Sequence, residues 1–173
     1  MGMVVRKIIF PALISVSLIV LGLGGYSMSK GDIEDIVICA VNEGSHSIPT
    51  SVCEYYLLNY RGTDQDIQFL ESRSGLAFLF EMSDKSKRRA FLEYFISKGI
   101  SVDKPSSMDG YAPLHAAIIH NDPELVMFLL EKGANPDQKD REHDLTPKEF
   151  VEYLNRKNPS VDRSAVSNAL SVQ

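Results

Sequence analysis

Apolar residues recur at helical spacing over much of this chain. The clearest stripe lies within residues 123–131, and the same four-position pattern occurs 34 positions earlier. Apolar residues at i, i+1, i+4 and i+5 lie on one face of a helix, so both segments are predicted to form amphipathic helices. The two stripes consist of Leu125, Val126, Leu129 and Leu130, and of Phe91, Leu92, Phe95 and Ile96.

Residues that begin and end helices accompany these stripes. Gly133 follows the later stripe and Gly99 the earlier one, as expected where a helix ends in the left-handed conformation. Asp122 and Pro123 together predict a capped start for the later helix. The two segments therefore share their helix boundaries as well as their apolar faces.

Similar segments extend outward on both sides. Residues 146–147 lie 34 positions after residues 112–113, and Thr146 with Glu149 forms a capping-box pattern at the start of another helix. Residues 63–73 are predicted to form a long polar connection that contains a short helix. An additional residue relative to the repeat is expected in the charged loop 83–89. The remaining predicted helices cover residues 32–41, 49–60, 75–80 and 159–170.

Residues 109–137 carry the most specific pattern. The stretch DGYAPLHAA at residues 109–117, followed by NDPELVMFLLEKGANPD at residues 121–137, resembles an ankyrin repeat. Ala112 stands where Thr is usual in that family, so the first helix lacks a capping hydroxyl. One such repeat cannot bury its apolar face alone. The resemblance therefore implies an all-α solenoid of about four helix pairs over residues 28–173.

The first 27 residues are predicted to be an export signal. Residues 6–7 are basic, residues 8–23 are almost wholly apolar, and small residues precede an expected cleavage site after Ser27. The apolar run is shorter than the about 20 residues of a typical spanning helix, and an uncleaved anchor is the alternative. We expect a periplasmic protein, with a minor cytosolic form if translation starts at Met28.

The charge of the chain favours a protein partner. Lys and Arg number 18 against 23 Asp and Glu, which gives a formal net charge of -5. Nucleic-acid binding is not expected, because phosphate contacts need a basic face. An acidic surface suits a basic or mixed protein partner, and membrane contact is expected only through an uncleaved leader.

No arrangement of residues indicates catalysis or metal binding. Cys39 and Cys53 lack a nearby second Cys or His, and either form a disulfide in an oxidising compartment or pack as separate core residues. His115 and His120 are five positions apart, which places their rings on different helix faces. In the ankyrin pattern, His115 is usually bonded within the turn. We therefore expect a non-enzymatic protein with no catalytic residue, cofactor or metal ion.

The ankyrin resemblance implies that partners bind the turns between repeats and the first helices. The best-defined turns are residues 104–111 and 138–145. Met108 and Tyr111 are apolar there and suit an interface, although packing of Tyr111 on the neighbouring turn is the alternative. The basic residues of 83–89 are a second candidate, with a solvated helix start as the alternative. The predicted partner-binding residues are Lys104, Met108, Asp109, Tyr111, His120, Asn121, Asp140, Arg141, Glu142, His143 and Asp144.

Three functional hypotheses are compatible with this sequence. Small exported ankyrin proteins with such a leader resemble periplasmic immunity proteins of type VI secretion effectors, especially phospholipase effectors. That resemblance implies that the partner is a cognate toxin. The alternatives are a general periplasmic scaffold, for example for oxidative-stress enzymes, and a membrane-tethered regulator with an uncleaved leader.

Overall fold

The computed structural model describes residue 26 and residues 28–171, and within them it consists of helices without β-strands. The predicted export signal, residues 1–27, lies outside the described residues apart from Tyr26. The all-α prediction is confirmed. Numbered in chain order, the helices are α1 (Ile33–Ala40), α2 (Thr50–Tyr60), α3 (Asp64–Glu71), α4 (Lys85–Ser97), α5 (Pro113–Ile119), α6 (Pro123–Glu131), α7 (Pro147–Lys157) and α8 (Ser164–Ala169), with a 3-10 helix (Gly75–Glu81) between α3 and α4.

The chain divides into two compact units, one reaching Asn59 and the other beginning at Tyr60. No helix among the described residues is long and apolar enough to cross a membrane. The predicted helix pair at residues 32–60 forms α1 and α2 in the first unit. The second unit holds the segments related by the repeat spacing.

A disulfide joins α1 and α2 in the first unit. Cys39 on α1 is bonded to Cys53 on α2, with their Cα atoms 5.8 Å apart and a sequence separation of 14. Both cysteines are buried, and Leu57 of α2 is fully buried beside this pair of helices. The two cysteines are therefore bonded, which decides between the two alternatives that the sequence left open.

Three helix pairs stack in the second unit. The 3-10 helix packs on α4, α5 packs on α6, and α7 packs on α8. Neighbouring pairs meet because α5 contacts both the 3-10 helix and α7, while α6 contacts α8. The fully buried large side chains lie at these contacts: Leu76, Leu79, Phe91, Leu92, Phe95, Ile118, Leu129, Phe150 and His115. The predicted apolar stripes are thus the contact faces of the stack.

Side-chain caps form where the sequence predicts them. The Leu125 N–H donates to Oδ1 of Asp122 over 3.0 Å at the start of α6. Thr146 and Glu149 form a reciprocal capping box on α7. Ala112 provides no side-chain cap to α5, as expected. Local polar residues therefore set these helix starts.

Three predicted segments differ in the structure. Residues 75–80 form a 3-10 helix rather than an α-helix. Lys85 already begins α4, because Asp84 accepts hydrogen bonds from the N–H groups of Ser86 and Lys87, so most of the predicted loop 83–89 is helical. The helix predicted for residues 159–170 is limited to Ser164–Ala169. Of these three helices, only α4 has a side-chain cap, so a local cap explains the changed boundary at α4 alone.

A partly buried ion pair connects two consecutive helix pairs. Nη2 of Arg88 on α4 donates to Oδ2 of Asp122 over 2.5 Å, and both side chains are only 11–12% exposed. Nη1 of Arg88 also donates to the carbonyl of Phe80. Burial tends to raise the pKa of Asp122, but hydrogen bonds from Leu125 and Arg88 outweigh it and lower the pKa below 3.8.

Reduction of the Cys39–Cys53 bond is expected to destabilise the first unit. A loop of this length contributes about 3 kcal/mol to the free energy of unfolding, mainly by restricting the unfolded chain. Urea unfolding followed by circular dichroism, with and without reductant, measures the difference. The double variant Cys39→Ser/Cys53→Ser is the control and should not respond to reductant. Equal stability of the wild-type chain in both conditions would contradict this expectation.

Replacement of Asp122 is expected to destabilise the second unit. Asp122→Ala removes a helix cap and leaves Arg88 without its carboxylate, at a cost of about 2–4 kcal/mol in the free energy of unfolding. Asp122→Asn should cost less because its amide oxygen still caps α6. Glu124→Gln, at an exposed ion pair with Lys85, is the matched control and should change stability by about 0.5 kcal/mol or less.

The same residue predicts a dependence on acid. The pKa of Asp122 is lower in the folded state, so the stability from its charged form is present above pH 3.8 and is lost as the pH falls through the folded-state pKa. Urea unfolding across this acidic range should show a shallower loss of stability for Asp122→Asn than for the wild-type chain. Parallel curves for the two proteins would rule out this contribution.

Candidate partner-binding surface

Two turns of the second unit have the same backbone closure. In the first turn, residues 106–111, the Ser106 N–H donates to the carbonyl of Tyr111 over 2.9 Å. In the second turn, residues 140–145, the Asp140 N–H donates to the carbonyl of Leu145 over 3.0 Å. The two turns are 34 positions apart and precede α5 and α7. They are therefore equivalent elements of neighbouring helix pairs.

A buried polar side chain organises each turn from inside. Oγ of Ser106 accepts hydrogen bonds from the N–H groups of Met108 and Asp109. The carboxylate of Asp140 accepts from the N–H groups of Glu142, His143 and Leu145. Ser106 is 2% exposed and Asp140 is 3% exposed.

This arrangement corrects the predicted position of Asp140. The residue belongs to the interior of the second turn, where its carboxylate replaces water as the acceptor for three backbone donors. Burial tends to raise the pKa of Asp140, but these backbone hydrogen bonds outweigh it and lower the pKa. Sequence reasoning missed Ser106, which occupies the equivalent position 34 residues earlier. The repeat spacing was the signal that could have identified it.

The residue before the last position of each turn has a left-handed backbone. Gly110 has a φ of 77° and Asp144 a φ of 56°. Glycine adopts this conformation at little cost, and Asp tolerates it better than most residues. The chain direction reverses here before α5 and α7 begin.

His115 connects α5 to the second turn. Its Nε2 lies 3.0 Å from the carbonyl oxygen of Leu145, and its ring packs edge-on against Phe150. A carbonyl only accepts hydrogen bonds, so Nε2 carries the proton in the neutral ring. The side chain is fully buried, and Nδ1 has no hydrogen-bond partner among the described residues. His115 is thus a structural residue that fixes the turn on the helix stack.

Tyr111 and His143 pack against each other across the two turns. Their rings are stacked with centroids 6.4 Å apart, and the Tyr111 hydroxyl donates to Oε2 of Glu142 over 2.7 Å. Burial and the nearby carboxylates raise the pKa of Tyr111 above its usual range. Tyr153 of α7 contacts His143 with centroids 4.6 Å apart. Tyr111 therefore packs on the neighbouring turn, and Tyr153, which sequence reasoning missed, supports the same contact.

Met108 has a different environment from Tyr111. Its side chain is 71% exposed at the tip of the first turn, although the backbone beneath it is held by Ser106. Exposed large apolar side chains on ordered backbone are suitable anchors for a protein partner. Asp109, Arg141, Glu142 and Asp144 are also exposed on the two turns.

Several other predicted residues are engaged within the unit. Nζ of Lys104 donates to Oε2 of Glu71 over 2.8 Å. Asp109 accepts a hydrogen bond from the Tyr111 N–H. Nζ of Lys139 donates to Asp144 over 2.8 Å. Lys104, Asp109 and Asp144 therefore lie at the surface near the turns, but each also forms a contact that stabilises the unit.

His120 and Asn121 do not extend the surface of the turns, contrary to the prediction. Both follow the end of α5, whereas the first turn precedes its beginning, and a helix of this length is about 10 Å long. His120 lies beside Glu81, with Nε2 3.4 Å from Oε1. Nδ2 of Asn121 donates to the carbonyl of Asp162. The two residues belong to the opposite end of the helix pairs.

The basic residues near the start of α4 are neutralised by acidic neighbours. Lys85 pairs with Glu124 over 3.3 Å, and Arg88 pairs with Asp122. Arg89 lies near two carboxylates and over the ring of Phe128. This segment is therefore a solvated helix start and not a basic docking surface.

Protonation of His115 is expected to destabilise the second unit. Burial lowers its pKa below the ordinary 6.5, so the stability from the neutral ring is fully present above pH 6.5 and is lost as the pH falls from there through the folded-state pKa. His115→Gln should flatten this dependence below pH 6.5 while lowering the free energy of unfolding. His120→Gln, at an exposed site, is the control. Urea unfolding at several pH values tests this, and identical slopes for wild type and His115→Gln would refute it.

Comparison with known proteins identifies one segment of the chain. A family model described as ankyrin repeat matches residues 109–141. No curated protein matches the chain, and no solved structure does. Among the described residues, no three His, Cys, Asp or Glu side chains come together in a way that could hold a metal ion. The matched segment includes the first turn's left-handed Gly110, α5, α6 and the beginning of the second turn. The chain therefore contains an ankyrin repeat at residues 109–141 within an all-α stack of helix pairs.

Proposed function

We propose that this chain acts by binding another protein through the exposed edges of the first and second turns. The observation that carries the proposal is Met108, an apolar side chain that is 71% exposed on a turn whose backbone is fixed from inside. Ankyrin repeats are stacked elements that offer extended surfaces for binding. The two turns are adjacent elements of such a stack.

Rigidity of the turns favours specific binding. Ser106 and Asp140 satisfy the backbone donors of their turns, and the stack of Tyr111 on His143 joins the two. A surface that is ordered before association loses less conformational entropy on binding. The turns are thus suited to a partner of complementary shape.

The exposed charges indicate a basic or mixed partner. Asp109, Glu142 and Asp144 present carboxylates on the two turns, and the exposed cations beside them are Arg141 and Lys139, which pairs with Asp144. The whole chain carries a formal net charge of -5. Charge complementarity of this kind increases the rate of association and discriminates against acidic proteins.

The specific role that we propose is that of an exported immunity protein, which neutralises a cognate toxic effector of the phospholipase type. The apolar leader predicted for residues 1–27 supports export. The Cys39–Cys53 disulfide also supports an oxidising compartment, since such bonds persist mainly outside the cytosol. A binding scaffold would block the active site of the toxin or its access to the membrane.

A general periplasmic scaffold and a membrane-tethered regulator are the competing roles. An adjacent lipase or secretion-spike gene would favour the immunity role, whereas an adjacent catalase-like gene would favour the scaffold. N-terminal sequencing of the exported protein would separate a cleaved leader from an anchor. Co-expression should protect cells from the toxin if the immunity role is right, and a housekeeping partner would contradict it.

Substitution of Met108 should weaken partner binding without changing stability. Met108→Ala removes an anchor from the turn tip and should raise the Kd for the purified partner about fivefold or more. Met127→Ala is the matched control, because Met127 is exposed on α6 away from the turns. The partner is first captured with the wild-type chain and identified by mass spectrometry. Calorimetry then compares the two variants, and equal Kd values would exclude the turn surface.

A further inference from the structure

A cleft at the end of the second unit contains a buried arginine without a carboxylate partner. Arg163 is only 8% exposed, and the structure gives it no salt bridge with any described residue. The cleft has a volume of about 500 Å³ and is open to solvent. Its polar lining includes Arg163, Asn155, Ser160, Asp162, Ser164 and Ser167.

The hydrogen bonds of Arg163 occupy one side of its guanidinium group. Nη1 lies 3.5 Å from Oδ1 of Asn155, 3.4 Å from the carbonyl of Asn158 and 3.5 Å from the carbonyl of Val161. All three acceptors are neutral, and the distances exceed the usual 2.9–3.0 Å for such bonds. The positive charge is therefore weakly compensated.

The other edge of the guanidinium group is unoccupied. Nε is buried and has no hydrogen-bond partner among the described residues. Nη2, beside it, likewise donates to none of them, and the side chain lines the cleft. Nε and Nη2 form the edge of arginine that matches the two oxygens of a carboxylate. Buried charges are costly unless they are paired, so Nη2, the unpaired nitrogen that solvent can reach, is suited to bind an anion.

We propose that this cleft binds a carboxylate group, with Arg163 as the residue that recognises it. One oxygen would accept a hydrogen bond from Nη2 at the cleft surface, while Nε lies buried behind it without a partner. The hydroxyl of Ser167 adds a donor from α8. The carboxylate is that of a small organic acid or of a polypeptide C-terminus.

The charges around the cleft favour a carboxylate over a phosphate. Asp162 lines the same cleft, and hydrogen bonds from Ser164 lower its pKa, so it is negatively charged at neutral pH. Arg163 and Asp162 together give the cleft no net charge, so a carboxylate adds one negative charge and a phosphate dianion adds two. A phosphate dianion would meet Asp162 with a second charge that Arg163 does not neutralise.

This cleft is separate from the first and second turns. Asn121, which follows the end of α5, donates to the carbonyl of Asp162 beside the cleft. The turns precede the beginnings of α5 and α7. The carboxylate site therefore lies at the end of the helix pairs opposite the proposed protein-binding surface, and the two can be tested independently.

The test is a nuclear magnetic resonance titration of the purified protein, in the form in which the expressing cell accumulates it. Sodium acetate is the probe, with sodium chloride at equal ionic strength as the control and sodium phosphate as the competing chemistry. We expect saturable shifts in the Arg163 Nε–H signal and in the backbone amides of residues 160–167. Chloride should produce no saturable change, and phosphate should bind more weakly than acetate.

Variants identify the residue responsible. Arg163→Lys keeps the charge but loses the planar edge, and should abolish the saturable shifts with acetate. Arg156→Gln is the matched control, since Arg156 is an exposed cation that does not line the cleft. Asp162→Asn keeps an oxygen for the Ser164 N–H and should tighten acetate binding severalfold. This last variant decides the question if Arg163→Lys fails to fold, as judged by circular dichroism.

Several results would overturn the proposal. Linear shifts, equal shifts with chloride, or shifts that persist in folded Arg163→Lys would exclude a carboxylate site at Arg163. Stronger binding of phosphate, or no gain in Asp162→Asn, would exclude the assigned chemistry. A short peptide with a free C-terminus, compared with its amide, then separates the two sources. Binding of the acid form above the level of acetate indicates a polypeptide end, and equal binding indicates a small acid.

Discussion

The structure depends on stacking of helix pairs that are too short to be stable by themselves. α5 has seven residues and α6 nine, below the length at which isolated helices persist in water. Six of the seven residues of α5 are buried against its neighbours. The free energy that holds each pair therefore comes from the next pair, and the repeat spacing of 34 positions keeps their apolar faces aligned.

The same spacing aligns the polar contacts between pairs. Arg88 reaches Asp122 and His115 reaches the carbonyl of Leu145, across 34 and 30 positions of sequence. Gln138 donates to the carbonyl of Asp103 across 35 positions. Each contact satisfies a buried or half-buried polar group that would otherwise be costly. Apolar burial brings neighbouring helix pairs together, and these hydrogen bonds and ion pairs fix how the pairs are aligned.

This division of roles explains how a small chain can present specific surfaces. The interior polar groups of the turns are satisfied from within, which leaves side chains such as Met108 free to contact a partner. At the opposite end, Arg163 is buried without a salt bridge to any described carboxylate. The two proposed binding surfaces thus differ in their buried polar groups. At the turns, the buried Ser106 and Asp140 side chains form hydrogen bonds within the protein, whereas at the cleft Nε of Arg163 has no such bond.

The sequence by itself determined the all-α class, the caps at Asp122 and Thr146, and the repeat pattern at residues 109–137, because these depend on local periodicity and on hydrogen bonds within one turn of helix. Only the tertiary structure placed Asp140 inside its turn, separated His120 from the turns, and joined Cys39 to Cys53. Exposure and pairing depend on which distant groups meet in space. A local sequence pattern does not contain those distances. It could therefore identify such residues as candidates, but not whether each is buried or which group it contacts.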